Sequence, residues 1–176
     1  MRLPLSAKLF AALGIVLMQI TSCNEVIDDR IPRMPVSVDI SNEGLWSVYG
    51  VNGFGDFRYF IYGDGQWEPA GFPYISQTKS HTGFGGVLLI AGQSFTSGGI
   101  EPLAYDLACP VERQRDIRIF IDTNNYDAVC PKCGSRYSVV EAGGSPVAGP
   151  ALDYGYGLRR YSVYPTVNRG YMISDY

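Results

Sequence analysis

Residues 128–138 read AVCPKCGSRYS and place two cysteines, Cys130 and Cys133, between two short runs of strand-forming residues. A Cys-x-x-Cys spacing is typical of half a zinc site, because a structural zinc ion takes four ligands from two such turns. The stretch therefore raises the question of where the remaining ligands lie.

A third cysteine lies upstream, in a second loop that follows a predicted strand. Cys109 belongs to AYDLACPVE, residues 104–112, about twenty residues before Cys130. The only other cysteine, Cys23, lies in the N-terminal region. Two cysteine-bearing loops, each following a strand, predict one shared site.

Composition and hydrophobic pattern predict the fold class. At 176 residues the chain allows one domain, and 46% of its residues are hydrophobic, enough to bury a core. It is rich in Gly (21) and Tyr (13), the balance expected of twisted strands joined by tight turns. Runs rich in Val, Ile and Tyr predict strands at residues 35–40, 87–91, 103–107, 117–121, 136–140 and 158–164. We therefore predict an all-β protein, a small antiparallel barrel or sandwich with long loops rich in Gly and aromatic residues.

Residues 1–22 predict a secretory signal peptide. Arg2 and Lys8 give a positive start, and residues 9–20 form an apolar run of 12. This run is shorter than the ~20 residues that span a bilayer as a helix, so we expect no permanent transmembrane segment. Positions 20–23, Ile-Thr-Ser-Cys, resemble the bacterial lipobox, which implies cleavage before Cys23 and attachment of lipid to its thiol.

The lipobox predicts the organisation and location of the mature chain. Residues 23–35 contain acidic residues and prolines without periodicity and are interpreted as a lipidated tether, followed by a β domain at residues 36–176. Acyl chains contribute about 0.8 kcal/mol per buried methylene, so they can hold such a domain on a membrane. We expect a protein of the cell envelope, facing the periplasm or the exterior. Plain secretion, without a role for Cys23, is the alternative.

The charge balance excludes one class of partner. Charged residues make up 18% of the chain and the formal net charge is −3. Removal of the signal peptide takes away two of 14 basic residues and none of 17 acidic ones, so the mature charge is 12 − 17 = −5. Nucleic-acid binding requires a basic face, and we therefore expect no nucleic-acid partner.

The cysteine spacing resembles the motif of a known family. Cys109-x-Val111 is followed after 18 residues by Cys130-x-x-Cys133, similar to the Rieske motif, in which Cys-x-His and Cys-x-x-His loops hold a 2Fe-2S cluster. GSRYS at 134–138 looks like the strand after the second loop of that family. EPLAYDLACP at 101–110 and GGSPVAGPALDYGYGLRRYSV at 143–163 resemble its first ligand strand and its tail. The resemblance covers about residues 85–164 and implies a Rieske-like β domain.

The resemblance also predicts how the loops are arranged. The loops at residues 107–111 and 129–134 should lie side by side at one end of the domain. The turns at residues 143–150, with Gly143, Gly144, Pro146, Gly149 and Pro150, should shape a third edge of that end.

Two positions depart from the family motif. Val111 and Cys133 stand where the two histidine ligands should be, and valine has no lone pair to give. His81, the only histidine, lies far upstream in a loop and is interpreted as a surface residue. The resemblance therefore implies the fold more than the redox activity. We expect a membrane-anchored structural or binding module without a normal cluster, with a 2Fe-2S electron-transfer protein as the alternative.

The resemblance leaves several assignments of the thiols open. In the family, the residues at Cys109 and Cys130 ligate the same iron, which implies a disulfide between them in an oxidising envelope if no metal is bound. A Cys130–Cys133 disulfide is the competing pair. We expect no cofactor. The alternatives are a 2Fe-2S cluster on Cys109, Cys130 and Cys133, or a zinc ion on the same thiolates with Glu112 or water as the fourth ligand.

Overall fold

A computed structural model describes residues 25–75, 77, 81–94, 98–141 and 143–175, which form two antiparallel sheets and two short helices. Strands account for 39% of these described residues and helices for 8%, which confirms the all-β class. The elements are β1 (Ser37–Asn42), α1 (Glu43–Tyr49), β2 (Phe57–Phe60), β3 (Val87–Gln93), β4 (Ile100–Asp106), β5 (Phe120–Asp122), β6 (Asp127–Val129), β7 (Arg136–Ser138), β8 (Ser145–Ala148), α2 (Pro150–Tyr154), β9 (Arg160–Pro165) and β10 (Arg169–Ser174).

The larger sheet has six strands in the order β1-β10-β9-β4-β3-β2 and curls into a half-barrel. Its centre is the β3–β4 ladder, in which seven residue pairs run from Val87 opposite Asp106 to Gln93 opposite Ile100. Six of the seven residues of β3 are buried, because both faces of this strand are covered. That double burial explains why its sequence, VLLIAGQ, is nearly continuous in apolar residues rather than alternating.

Alternate residues of β3 enter two separate hydrophobic clusters, as the period of a strand requires. Leu88 and Ile90 belong to the cluster between the two sheets, which also contains Cys109 and Cys130. Leu89, on the other face, belongs to the cluster that lies beneath β1 and α1. The cysteines are therefore built into the main core of the domain.

The smaller sheet has the order β5-β6-β7-β8 and carries the second cysteine loop between β6 and β7. Its first hairpin joins β5 to β6, and Asp122 and Asp127 are the last pair of facing residues before the turn. Arg136 on β7 donates to both carboxylates, at 2.8 Å to Asp122 and 3.1 Å to Asp127. Since this guanidinium fastens the hairpin to the neighbouring strand, the small sheet presents the cysteine loop from a fixed base.

Each of the six predicted strand segments overlaps an observed strand, and the structure adds others that the sequence pattern did not predict. β2 lies within residues 50–86, a region rich in Gly and aromatic residues that we expected to form loops. Its four residues, FRYF, pair in register with β3. A run of four residues bounded by loops gives too short a pattern for recognition of a strand from periodicity alone.

The N-terminal part of the described chain lies against the domain. Ile31 is only 1% exposed, and Ile27 pairs with Tyr156 in an isolated β-bridge. The Arg30 guanidinium lies 4.2 Å from the centroid of the Tyr156 ring. Residues 25–33, here named the strap, are thus packed on the domain although their composition is that of a tether, and the packed unit extends N-terminal to residue 36.

The predicted signal peptide and Cys23 lie outside the described residues. Within the part of the chain that the structure describes, no helix is long and apolar enough to cross a membrane.

Candidate metal centre

The three cysteines of the β domain converge on one point. The sulfur atoms of Cys109, Cys130 and Cys133 all lie within 4.8 Å of one another. Cys109 and Cys130 are buried, and Cys133 is half-buried. The predicted juxtaposition of the two cysteine loops is therefore confirmed, and the loops bring together three possible metal ligands.

The two loops share one backbone geometry. In residues 130–134, the second knuckle, the Gly134 N–H donates to the Cys130 carbonyl at 3.0 Å, and Gly134 has a φ of 71°. In residues 109–113, the first knuckle, the Arg113 N–H donates to the Cys109 carbonyl at 2.8 Å, and Arg113 has a φ of 54°. A left-handed arginine is uncommon and indicates that the surrounding structure holds the turn. Both knuckles also begin with Cys-Pro.

Backbone N–H groups stabilise the first sulfur of each knuckle in the same way. The donors are the residues two and three positions after the cysteine: Val111 and Glu112 for Cys109, and Lys132 and Cys133 for Cys130. Each of these hydrogen bonds lowers the pKa of the accepting thiol, because it favours the thiolate form. Thiolates are the form in which cysteines bind metals, so both knuckles are prepared for metal ligation.

The thiols of Cys109 and Cys130 affect each other's pKa in opposite directions. The hydrogen bond with Cys130 is the main reason why the pKa of Cys109 falls to about 5, and the same contact raises the pKa of Cys130. The Tyr137 hydroxyl lies 3.6 Å from the Cys109 sulfur, and burial raises the pKa of Tyr137, so this hydroxyl stays protonated. The contact between the two thiols therefore lowers the pKa of one sulfur and raises that of the other, which favours a single thiolate in the pair.

Cys133 is linked to the third edge of the site. Its thiol donates to the Ser135 hydroxyl at 3.1 Å, and that hydroxyl accepts a hydrogen bond from the Ala151 N–H at 3.0 Å. Gly149 lies so close that an added Cβ would approach the Ser135 Cα to 2.9 Å. The Gly149-Pro150 turn thus brings the start of α2 against the second knuckle, as the predicted third edge requires.

Asp106, which the sequence analysis did not select, positions the first knuckle. Its fully buried carboxylate accepts hydrogen bonds from the backbone N–H groups of Phe84, Gly85 and Ala108 at 2.8, 3.0 and 2.7 Å. The Tyr161 hydroxyl donates a fourth hydrogen bond. One feature of the sequence could have identified Asp106: it is an acidic residue at the end of an apolar strand, three positions before a cysteine.

The predicted Cys109–Cys130 disulfide is absent, and all three thiols are free. The Cys109 sulfur also lies 3.6 Å from the Cys133 sulfur, well beyond the S–S bond length of about 2.05 Å. Cys109 faces two thiols and a hydroxyl rather than one partner. The disulfide that the resemblance implied is therefore not formed in this structure, and the three sulfurs lie around a common point instead.

The donor set does not fit a Rieske cluster. Such a cluster takes two ligands on each of two irons, which places the two ligand pairs on opposite sides. Val111, at the first histidine position, packs against the core, and Cys133, at the second, lies with the other two sulfurs. His81 does not belong to this group, and its carbonyl accepts from Ser37 beside β1.

The triad has the dimensions of a site for a single ion. Zn–S bonds of about 2.3 Å in a tetrahedron place neighbouring sulfurs about 3.8 Å apart. The observed distance of 3.6 Å between Cys109 and Cys133, with all three sulfurs within 4.8 Å, requires only a small closure around an ion. The three cysteines could therefore hold one thiophilic metal.

Glu112, the predicted oxygen ligand, does not belong to the group of side chains that converge within 4.8 Å. It occupies the same place in the first knuckle as Cys133 in the second, three positions after the leading cysteine. Its side chain is 13% exposed, and its carboxylate accepts from the Lys132 ammonium at 2.6 Å. Glu112 thus has the position of a ligand in the sequence of its knuckle, but its carboxylate forms an ion pair with Lys132.

A comparison of the chain with models of known protein families found no match, and a comparison with curated proteins found none either.

Proposed function

We propose that this chain is a lipid-anchored protein of the cell envelope whose Rieske-like domain binds one zinc ion in place of an iron–sulfur cluster. The convergence of the three cysteine sulfurs within 4.8 Å carries the proposal. Val111 at the first histidine position supports it further, because valine cannot ligate a second iron, and Cys133 at the other position lies with the other two sulfurs. The domain then serves as a structural or binding module rather than as an enzyme.

The role of the ion follows from its surroundings. Cys109 and Cys130 belong to the main core, and the ion joins two loops that the chain separates by about twenty residues. A structural zinc site contributes directly to folding, because the metal binds the folded arrangement of its ligands. The proposed ion therefore fixes the two knuckles to each other at one end of the domain.

Glu112 completes the ligand set in this proposal. The matched hydrogen bonds of the two knuckles support the equivalence of Glu112 and Cys133. The Glu112 carboxylate must turn away from Lys132 to reach the ion, and Lys132, which is 50% exposed, can be hydrated when the ion pair opens. Three thiolates and one carboxylate give a closed four-coordinate site, which is the structural rather than the catalytic type.

Elemental analysis of freshly purified protein tests the proposal. We expect one zinc ion per chain, no iron and no visible absorption, because zinc has a filled d shell. Replacement of the zinc by Co²⁺ should give the absorption bands of a tetrahedral thiolate site. Stoichiometric iron with visible colour would instead establish the electron-transfer alternative, and a protein that binds neither metal would refute a metal centre.

Two charge-removing variants test the role of Glu112. Glu112→Gln and Lys132→Gln both remove the Glu112–Lys132 ion pair, but only the first removes a proposed ligand. We expect Glu112→Gln to weaken zinc affinity by at least about tenfold, on the scale of losses at metal-site residues. Lys132→Gln should leave the affinity unchanged or raise it. Equal affinities in a competition titration against a chromophoric chelator would assign the fourth position to water.

A further inference from the structure

We propose that the end of the domain that carries the cysteine knuckles rests on the surface of a zwitterionic lipid bilayer, through an apolar patch formed by the strap and α2. This inference rests on the proposed lipid anchor at Cys23. The apolar patch is defined by four side chains: Val26, Ile27, Leu152 and Tyr154.

Hydrogen bonds fix the strap to the knuckle end of the domain. The Ile27 N–H donates to the Gly155 carbonyl at 2.7 Å, and the Gly157 N–H donates to the Ile27 carbonyl at 2.9 Å. Arg113, the last residue of the first knuckle, donates from Nε to the Arg30 carbonyl at 3.2 Å. The strap therefore runs between the C-terminal end of α2 and the first knuckle.

The length of chain between the lipid and the strap leaves little freedom. Two peptide units join Cys23 to Glu25, and they span at most about 7 Å when fully extended. The Glu25 carbonyl oxygen lies close to Gly155, where an added Cβ would be 3.2 Å from it. A lipid on Cys23 thus brings the headgroup region next to α2, and the docked strap prevents the domain from turning freely.

Large apolar side chains are exposed on the strap and on α2, the two segments nearest this anchor point. Val26 and Ile27 are each 41% exposed, Leu152 is 48% exposed and Tyr154 is 59% exposed. Tyr154 stacks on Tyr156, with 5.2 Å between the ring centroids, so its ring is held in place at the surface. Exposed apolar side chains with a tyrosine among them suit the boundary between headgroups and acyl chains.

The charges beside the patch select the type of lipid. Acidic residues adjoin it in the sequence: Glu25, Asp28, Asp29 and Asp153. Arg30, in the same segment, lies over the Tyr156 ring. Arg33, Arg159 and Arg160 line a cavity together with Asp28 and Asp29, so the charges of this surface are mixed and give no basic excess that would attract anionic headgroups. The apolar contact and the anchor therefore favour a zwitterionic surface such as phosphatidylcholine.

Tryptophan quenching by brominated lipids tests this orientation. Leu152→Trp places a probe in the apolar patch. Val167→Trp, at a site that is 98% exposed in the β9–β10 turn, places a control probe at the far end of β9 from α2. Both variants are made in the full lipidated chain and reconstituted into phosphatidylcholine vesicles with brominated acyl chains. The native signal of Trp46 and Trp67 is subtracted by using the parent protein.

We expect the added emission of Leu152→Trp to be quenched and shifted to shorter wavelength, and that of Val167→Trp to be unaffected. Adding phosphatidylserine should leave the quenching of Leu152→Trp unchanged, because the charges beside the patch are mixed; quenching that requires phosphatidylserine would overturn the assignment to a zwitterionic surface. Vesicle-bound protein in which Leu152→Trp is not quenched, or in which Val167→Trp is quenched equally, would overturn the orientation but keep the anchor. Cys23→Ala should not float with vesicles. If the parent protein also fails to float, the lipid anchor itself is refuted, and this inference with it.

Discussion

Replacement of Cys130 by serine is expected to abolish zinc binding and to lower the free energy of unfolding of the metal-loaded domain by at least about 4 kcal/mol. That figure is the stabilisation given by a ligand present at about 1,000 times its dissociation constant. Cys130 is 1% exposed and lies in the main core, so a serine there cannot be replaced by another ligand from the surface. Its hydroxyl stays protonated at neutral pH and does not substitute for a thiolate.

Unfolding by urea with and without a zinc chelator provides the measurement. The chelator should destabilise the parent protein strongly and leave Cys130→Ser unchanged, because the variant has no metal to lose. This comparison separates the metal from the packing cost of the substitution, which is present in both conditions. A parent protein whose unfolding midpoint is insensitive to the chelator would show that the triad does not bind a stabilising metal under these conditions.

The fold class and the site were predictable from the sequence for different physical reasons. β3 and β4 are long apolar runs bounded by turn residues, and such runs indicate strands without further information. The convergence of the two loops was predicted from their spacing, through the resemblance to the Rieske motif. That resemblance itself stays a prediction, because the structure establishes the position of the loops and not the ancestry of the chain.

The likeness of the two knuckles was not predictable from residue types. A left-handed position after a Cys-Pro turn is easily recognised at Gly134, since glycine adopts it without steric cost. Arg113 gives no such signal, although it adopts the same conformation. The sequence shows that Glu112 and Cys133 hold the same position after a Cys-Pro pair, and the backbone hydrogen bonds add that both loops have the same turn geometry.

The docking of the strap depends on contacts that local sequence does not encode. Ile31 is an isolated apolar residue in a segment without periodicity, which is why the segment was interpreted as a tether. Its burial is decided by distant residues, among them Arg159, which donates to the Ile31 carbonyl at 3.2 Å. The contact between Arg30 and Tyr156 likewise joins residues far apart in the chain. Tertiary packing of this kind overrides local composition.

Asp106→Ala is expected to be the most destabilising substitution outside the cysteine triad. It leaves the N–H groups of Phe84, Gly85 and Ala108 without their acceptor in a buried site. Each unsatisfied buried donor costs about 1–3 kcal/mol, so we expect a total loss of about 3–6 kcal/mol after partial relaxation. The free energy of unfolding of natural domains is about 5–15 kcal/mol. The variant therefore keeps only a small free energy of unfolding, or it fails to fold.

Tyr161→Phe is the matched control for this effect, and it keeps the experiment informative if Asp106→Ala does not fold. It removes one of the four donors to the carboxylate and leaves the three backbone hydrogen bonds intact. We expect it to cost about 1 kcal/mol, the usual net value of a single hydrogen bond. Asp106→Asn, which keeps one acceptor oxygen, should fall between the two. The three variants are compared by urea unfolding in the presence of a chelator, so that zinc does not contribute.

The same substitutions should report on the metal site, because Ala108 immediately precedes Cys109. The Asp106 carboxylate accepts a hydrogen bond from the Ala108 N–H at 2.7 Å. Gly85 packs against Ala108 so closely that a Cβ added to Gly85 would lie 2.4 Å from the Ala108 nitrogen. Loosening this contact displaces the first knuckle relative to the second, and zinc affinity should fall in the order of the stability losses. If Asp106→Asn were as stable as Tyr161→Phe but bound zinc much more weakly, Asp106 would act on the position of Cys109 rather than on the fold. Equal zinc affinity in both would show that the knuckles keep their separation without this carboxylate, and that the ion alone holds them.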